Sequence, residues 1–250
     1  MILLLDIGNT HTHAGLAAGR RLQRRVDLPT RGWQDGTAAA RLARFVGTTP
    51  LEGSALCSVV PLATRPARAA ARGFGGRFVE LTSATVRGVG VDYPRPRTIG
   101  PDRLANAIAV KHRFGAPALV VDFGTAVTFD VVNRAGNYAG GVIAPGLAVM
   151  TDYLHEKTAL LPRIRIRDIR SVIGRSTREA MLVGAVHGYR GLVRELIHRL
   201  REELGTPGLP VVATGPYAAL IARGLPEIRR VVPSLTLEGL RLLWESHFRG

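Results

Sequence analysis

MILLLDIGNT, residues 1–10, decides how the rest of the chain is read. An apolar run, Ile2 to Leu5, delivers Asp6 to the end of a buried strand, and Gly8, Asn9 and Thr10 make a tight polar turn. His11 to Ala17 continues as a second strand, so the unit is a hairpin rather than a strand leading into a helix. The same design returns as ALVVDFGTAVTFD (118–130), where Asp122, Gly124 and Thr125 fall in the same order about half a chain later. The duplication predicts two related half-structures, each aiming one strand-end carboxylate at a shared cleft.

Strands and helices alternate around these two stretches. Residues 36–46 carry an apolar stripe at helical spacing, 56–61 read as a short buried strand, and 61–75 as a helix with Pro66 in its first turns. Residues 77–82 and 211–215 read as strands. Helices are expected after Pro101, after Pro145–Gly146, over 176–205, over 216–225 and over 234–248. Residues 134–145 read as a glycine-rich connection in which Gly140–Gly141 permits close backbone approach. The alternation gives an α/β fold class. A boundary near Gly115–Pro117 divides an N-terminal domain, 1–115, from a C-terminal domain, 116–250.

The bulk numbers exclude several classes. With 46% hydrophobic and 21% charged residues the chain is not disordered, and it holds no apolar run long enough to cross a bilayer. It begins without a basic leader, and Cys57 is the single cysteine, so a reducing cytoplasm is expected, with no membrane partner. The net charge of +15 comes from arginine, since Lys111 and Lys157 are the only lysines among 34 basic residues. These arginines are scattered with few aromatics between them, so the charge favours phosphorylated ligands and nucleic acid is not an expected partner.

A strand-end aspartate beside Gly, Asn and Thr suits phosphate handling. Aspartate holds Mg²⁺ directly or through water, while turn amides and the threonine hydroxyl donate to phosphate oxygens. Neither a P-loop nor a dinucleotide fingerprint is present, so the phosphates need another cradle. Asp102 stands beside a helix N-terminus, and two readings of it remain open: a helix cap, or the base that takes a proton from an acceptor hydroxyl, with Arg103 at hand for an anionic group. His11 and His13 share a strand face but find no third metal ligand, and Cys57 reads as core.

Asp6 to Thr10, Tyr93 to Pro96 with Gly100 to Asn106, Asp122 to Ala126, Gly140 to Gly146, Ile173 to Thr177 and Leu235 to Leu240 together resemble type III pantothenate kinase over nearly the whole chain. The resemblance implies two similar ribonuclease H-like domains of the acetate and sugar kinase/Hsp70/actin superfamily facing a central cleft, in a homodimer. It implies transfer of the ATP γ-phosphate to pantothenate, giving 4'-phosphopantothenate in the first step of coenzyme A synthesis. Asp6, Ile7, Gly8, Asn9, Thr10, His11, Thr12 and His13 would form the first phosphate loop, and Thr125 would contact ATP. Tyr93, Gly100, Pro101, Asp102, Arg103 and Thr177 match pantothenate-contacting positions, and Asp102 the catalytic base. Asp122 matches the ligand of a monovalent cation, K⁺ or NH₄⁺, and Asp6 would serve Mg²⁺. The chain departs from the family pattern at His13, where a basic residue is frequent, and at Pro216, which removes an amide donor after Thr214–Gly215. The alternative reading is a non-catalytic accessory factor in transcription.

Overall fold

In the computed structural model, which describes residues 1–249, the opening apolar run is strand β1 (Ile2–Ile7). Strands β2 (His11–Ala18) and β3 (Arg21–Pro29) fold back from it as an antiparallel meander. After helix α1 (Thr37–Val46), β4 (Gly53–Ser58) pairs in parallel with β1. Helix α2 (Pro61–Gly73) then leads to β5 (Arg77–Glu80), giving the sheet order β3-β2-β1-β4-β5. Leu3, Leu5 and Ile7 pack with Leu16, Leu28, Leu42 and Leu56 in one core, while Ile2 and Leu4, buried on the opposite face, explain why β1 reads as an unbroken apolar run.

Two proline positions refine the expected helices. α2 begins with Pro61 at its first position, where the missing N–H costs nothing, and Pro66 follows in its second turn. Helix α3 (Pro101–Phe114), which follows the short strand β6 (Gly90–Val91), also opens on a proline, with Gly100 as its N-cap. Every residue of α3 from Leu104 to Val110 is buried, more than the single apolar face its pattern suggested.

The second sheet starts with β7 (Ala118–Phe123) and its antiparallel partner β8 (Ala126–Val132). The expected connection at 134–145 is instead strand β9 (Asn137–Pro145), whose glycines mask the alternation. Its first residues pair with β6, Asn137 with Gly90 and Tyr138 with Val91. Helix α4 (Leu147–Lys157) follows Gly146. Ser176 caps α5 (Thr177–Val183), its Oγ accepting the Glu179 N–H at 3.2 Å, as the capping-box spacing predicts. One π turn at Gly184–Gly188 carries α5 into α6 (Tyr189–Glu203), so the long helical pattern is a single continuous run. Strand β10 (Val211–Thr214), helix α7 (Ala218–Ala222) and strand β11 (Arg230–Val231) complete the order β11-β10-β7-β8-β9-β6.

The terminal helix α8 (Leu235–Phe248) packs against α3, where a Cβ on Gly239 would run into the Ala105 carbonyl. Thr236 Oγ1 donates to the buried Asn106 Oδ1 at 2.9 Å. The compact units are therefore discontinuous: Met1–Ala116, Arg134–Gly140 and Ser234–Gly250 form the first, Pro117–Asn133 and Gly141–Pro233 the second. A single cut near residue 115 separates the two duplicated turns but not the packing of α8. No helix among the described residues is long and apolar enough to cross a membrane.

Candidate active site

The first unit assembles most of the expected residues. The turn after β1 is pinned by Gly8 N–H donating to the His11 carbonyl at 3.0 Å and by Thr30, whose N–H reaches the Thr10 carbonyl at 3.1 Å and whose Oγ1 reaches the Gly8 carbonyl at 2.7 Å. Thr12 is buried, its Oγ1 accepting Trp33 Nε1–H at 2.9 Å, and Ile7 belongs to the core. These two residues can serve a ligand only through their main chain. Asn9, Thr10 and His11 are exposed. His13 lies opposite Asp6 across the β1–β2 ladder, with its Nδ1 2.7 Å from Asp27 Oδ1.

Asp102 occupies the first turn of α3 without capping it, since Gly100 holds the N-cap. The Asp102 carboxylate instead folds back over Gly100, where Oδ1 accepts the Arg103 N–H at 2.8 Å. Burial holds its pKa above the ordinary carboxylate value, opposed by the Arg103 amide and guanidinium. The Cys57 thiol is pushed well up, first by burial and then by the charges of Asp6 and Asp102. Asp6 meets that sulfur directly, its Oδ1 accepting from the Cys57 thiol at 3.3 Å.

Tyr93 lies against Gly140, whose φ of +103° excludes most side chains and whose added Cβ would stand 3.3 Å from the ring's Cε2. The Tyr93 and Tyr138 rings are 6.0 Å apart, and Arg103 Cζ stands 5.5 Å from the Tyr138 centroid. Tyr138 is buried and joins Tyr93 to Arg103, a role the glycine-rich reading of 134–145 concealed.

In the second unit Asp122 ends β7, in register with Thr214 on β10 and Thr128 on β8. Gly215 has φ +91°, and a Cβ there would stand 2.8 Å from both Asp122 Oδ1 and the Phe123 backbone. Gly146 donates its N–H to the Thr125 carbonyl at 3.1 Å and approaches that turn so closely that a Cβ would meet the Gly124 and Thr125 carbonyls. Asp122 and Thr125 are thereby held between two glycine contacts. Thr177 stands exposed at the first position of α5, on a different element from this turn.

Among the described residues no three His, Cys, Asp or Glu side chains gather to hold a metal ion. His11 and His13 stack at 6.4 Å, and His13 is paired with Asp27. Single carboxylates at strand ends fit instead a hard cation that takes its other oxygens from phosphate, water and main-chain carbonyls.

A family profile described as type III pantothenate kinase matches residues 2–199. The chain is 48% identical to a type III pantothenate kinase of Akkermansia muciniphila over 241 residues, covering 96% of each sequence. It is 43% identical to another from Methylacidiphilum infernorum over 249 residues, 98% of this chain and 88% of that one. The fold resembles a crystal structure of an inorganic polyphosphate/ATP-glucomannokinase from an Arthrobacter strain, with a TM-score of 0.50 at 14% identity over 100% of this chain and 99% of that one.

Proposed function

The chain belongs to the type III pantothenate kinase family, and from that premise we propose how its own residues carry transfer of the ATP γ-phosphate to pantothenate. The product is 4'-phosphopantothenate, the entry into coenzyme A synthesis. Asp102 is the base that accepts the proton of the pantothenate hydroxyl. The observation that carries this role is its carboxyl at the start of α3, folded over Gly100 onto the Arg103 amide and held above its ordinary pKa by desolvation. A carboxylate held above its ordinary pKa is, once ionised, a better proton acceptor.

The first phosphate loop, Asp6 to His13, receives the phosphate chain through main-chain amides and the exposed Asn9, Thr10 and His11 side chains. Tyr93 packs the acceptor, supported by Tyr138, and Arg103 binds its carboxylate. Gly100 and Pro101 shape the loop, while Thr125 completes the ATP contacts and Thr177 the acceptor contacts. Magnesium would be held by Asp6, directly or through water, and a monovalent cation, K⁺ or NH₄⁺, by Asp122 with nearby carbonyl oxygens. Bound there, they neutralise phosphate charge that would otherwise repel the attacking hydroxyl.

Residues 1–115 therefore supply the first phosphate loop and the acceptor loop, and 116–250 the second turn and a dimerisation helix. A homodimer is supported by apolar side chains left in solvent on the second unit: Tyr153 at 59% exposure, Leu160 at 89% and Ile173 at 73%. A cytoplasmic enzyme agrees with its one buried, unbridged cysteine. ADP formation by the purified protein with Mg²⁺ and K⁺ tests the reading. Turnover should require pantothenate, and pantothenate-independent hydrolysis, or none, would overturn it.

A further inference from the structure

Four strands of the first sheet place Cys57, Asp6, His13 and Asp27 in one cross-strand row. Asp6 is in register with Cys57 on β4 and with His13 on β2, and His13 with Asp27 on β3. Register partners project from the same face of a sheet, so all four side chains share one face. Two strand positions back on that face stand Leu4, Ala55 and Gly15, so the polar row marks a sharp change in character. Both ends of the row are tied. Cys57 Sγ donates to Asp6 Oδ1 at 3.3 Å, and His13 Nδ1 pairs with Asp27 Oδ1 at 2.7 Å.

Cys57 is fully buried, whereas Asp6 keeps partial contact with solvent. The thiol is the donor of its bond to Asp6, because a carboxylate oxygen can only accept. The second unit repeats the arrangement with a different atom. Asp122 has the buried Thr214 as its register partner on the equivalent parallel strand, a hydroxyl where the first unit has a thiol.

We propose that Cys57 is a positioning residue for phosphoryl transfer: its thiol fixes Oδ1 of Asp6 and so sets the direction in which that carboxylate meets magnesium-bound phosphate. The inference rests on the assignment of Asp6 to the phosphate side. A strand-end carboxylate turns about two side-chain bonds, and a donor on one oxygen restricts it to the orientation the ligand needs before the ligand arrives. Cys57 touches neither substrate and acts only through Asp6.

Cys57→Ala, Cys57→Ser and Cys57→Val, with Asp6→Asn as reference, separate this role from packing. Steady-state constants would be measured for Mg-ATP and for pantothenate, together with thermal midpoints. Cys57→Ala should raise KM for Mg-ATP about tenfold, the scale of one hydrogen bond to an ionised group, and leave KM for pantothenate unchanged. Cys57→Ser should restore most of that loss because it keeps a donor. Cys57→Val should remain as impaired as Cys57→Ala, even where its melting temperature matches the parent's. Activity that follows apolar packing instead, with Val near the parent and Ser poorest, would overturn the proposal. So would a Cys57→Ala enzyme like the parent alongside an inactive Asp6→Asn, which leaves the Asp6 assignment standing. An active Asp6→Asn would remove that assignment, and the role of Cys57 with it.

Discussion

Gly100 and Asp102 share one small volume: a Cβ on Gly100 would stand 2.5 Å from Asp102 Oδ1. The Asp102 carboxylate can therefore fold back onto the Arg103 amide only because residue 100 has no side chain. The N-cap glycine of α3 has φ −58°, which any residue tolerates, so its requirement comes from the neighbouring carboxylate and not from the backbone.

Gly100→Ala should accordingly leave the fold intact and displace Asp102. We expect kcat to fall by about tenfold or more, on the scale of misplacing a catalytic group, with the melting temperature nearly unchanged. Steady-state assays paired with thermal denaturation check this, and parent-like kcat would show that the folded-back carboxylate is not needed for turnover.

Asp102→Asn removes the proposed proton acceptor and should lower kcat by about 10²-fold or more. The same substitution should stabilise the folded protein near neutral pH. Burial raises the folded-state pKa of Asp102, so its contribution to stability is fully present below the unfolded-state pKa and is lost as pH rises through the folded value. Asparagine carries no charge and escapes that loss. The gap in melting temperature between Asp102→Asn and the parent should therefore open above the ordinary aspartate range and close in acid. A gap of the opposite sign at neutral pH would contradict a desolvated carboxylate. In the parent, kcat/KM should decline on the acid side as Asp102 takes up its proton.

Gly140→Ala probes the proposed acceptor loop. At φ +103° the alanine is strained, and its Cβ presses on the Tyr93 ring. KM for pantothenate should rise several-fold while KM for ATP stays put, a split that identifies which substrate Tyr93 serves. Tyr93→Ala should show the same split without the backbone strain, and an equal rise in both constants would detach Tyr93 from the acceptor.

The chain declares its two duplicated turns because β1 and β7 are buried on both faces, and such strands read as continuous apolar runs that stop where the carboxylate begins. Asp102 at the start of α3 was equally legible from its prolines. Strand β3 was not: in RLQRRVDLP only Leu28 is fully buried, so an exposed, arginine-rich edge strand carries little apolar alternation. β9 was hidden by Gly140 and Gly141, and with it went the contact between Tyr138 and Tyr93. The return of α8 to the first unit depends on Gly239 meeting Ala105, a packing event between distant residues that no local window contains. Cys57 reads as core from its apolar neighbours, but its bond to Asp6 exists only in the register of β1 with β4.

Asp122 and Gly215 give the last test, on the cation proposed for the second unit. Gly215 closes over Asp122 with φ +91° and no room for a Cβ, so Gly215→Ala must both strain the backbone and push on the carboxylate. Activity measured against K⁺ concentration should show a higher half-activating concentration in this variant. Asp122→Asn removes the charge while keeping the shape, and should abolish the response to K⁺ altogether. Choline in place of K⁺ should depress the parent enzyme and leave Asp122→Asn indifferent, since a quaternary ammonium cannot accept the short oxygen contacts a small cation makes. A parent enzyme equally active in choline would detach Asp122 from cation binding. The parallel between Asp6–Cys57 and Asp122–Thr214 would then be one of fold and not of ligand.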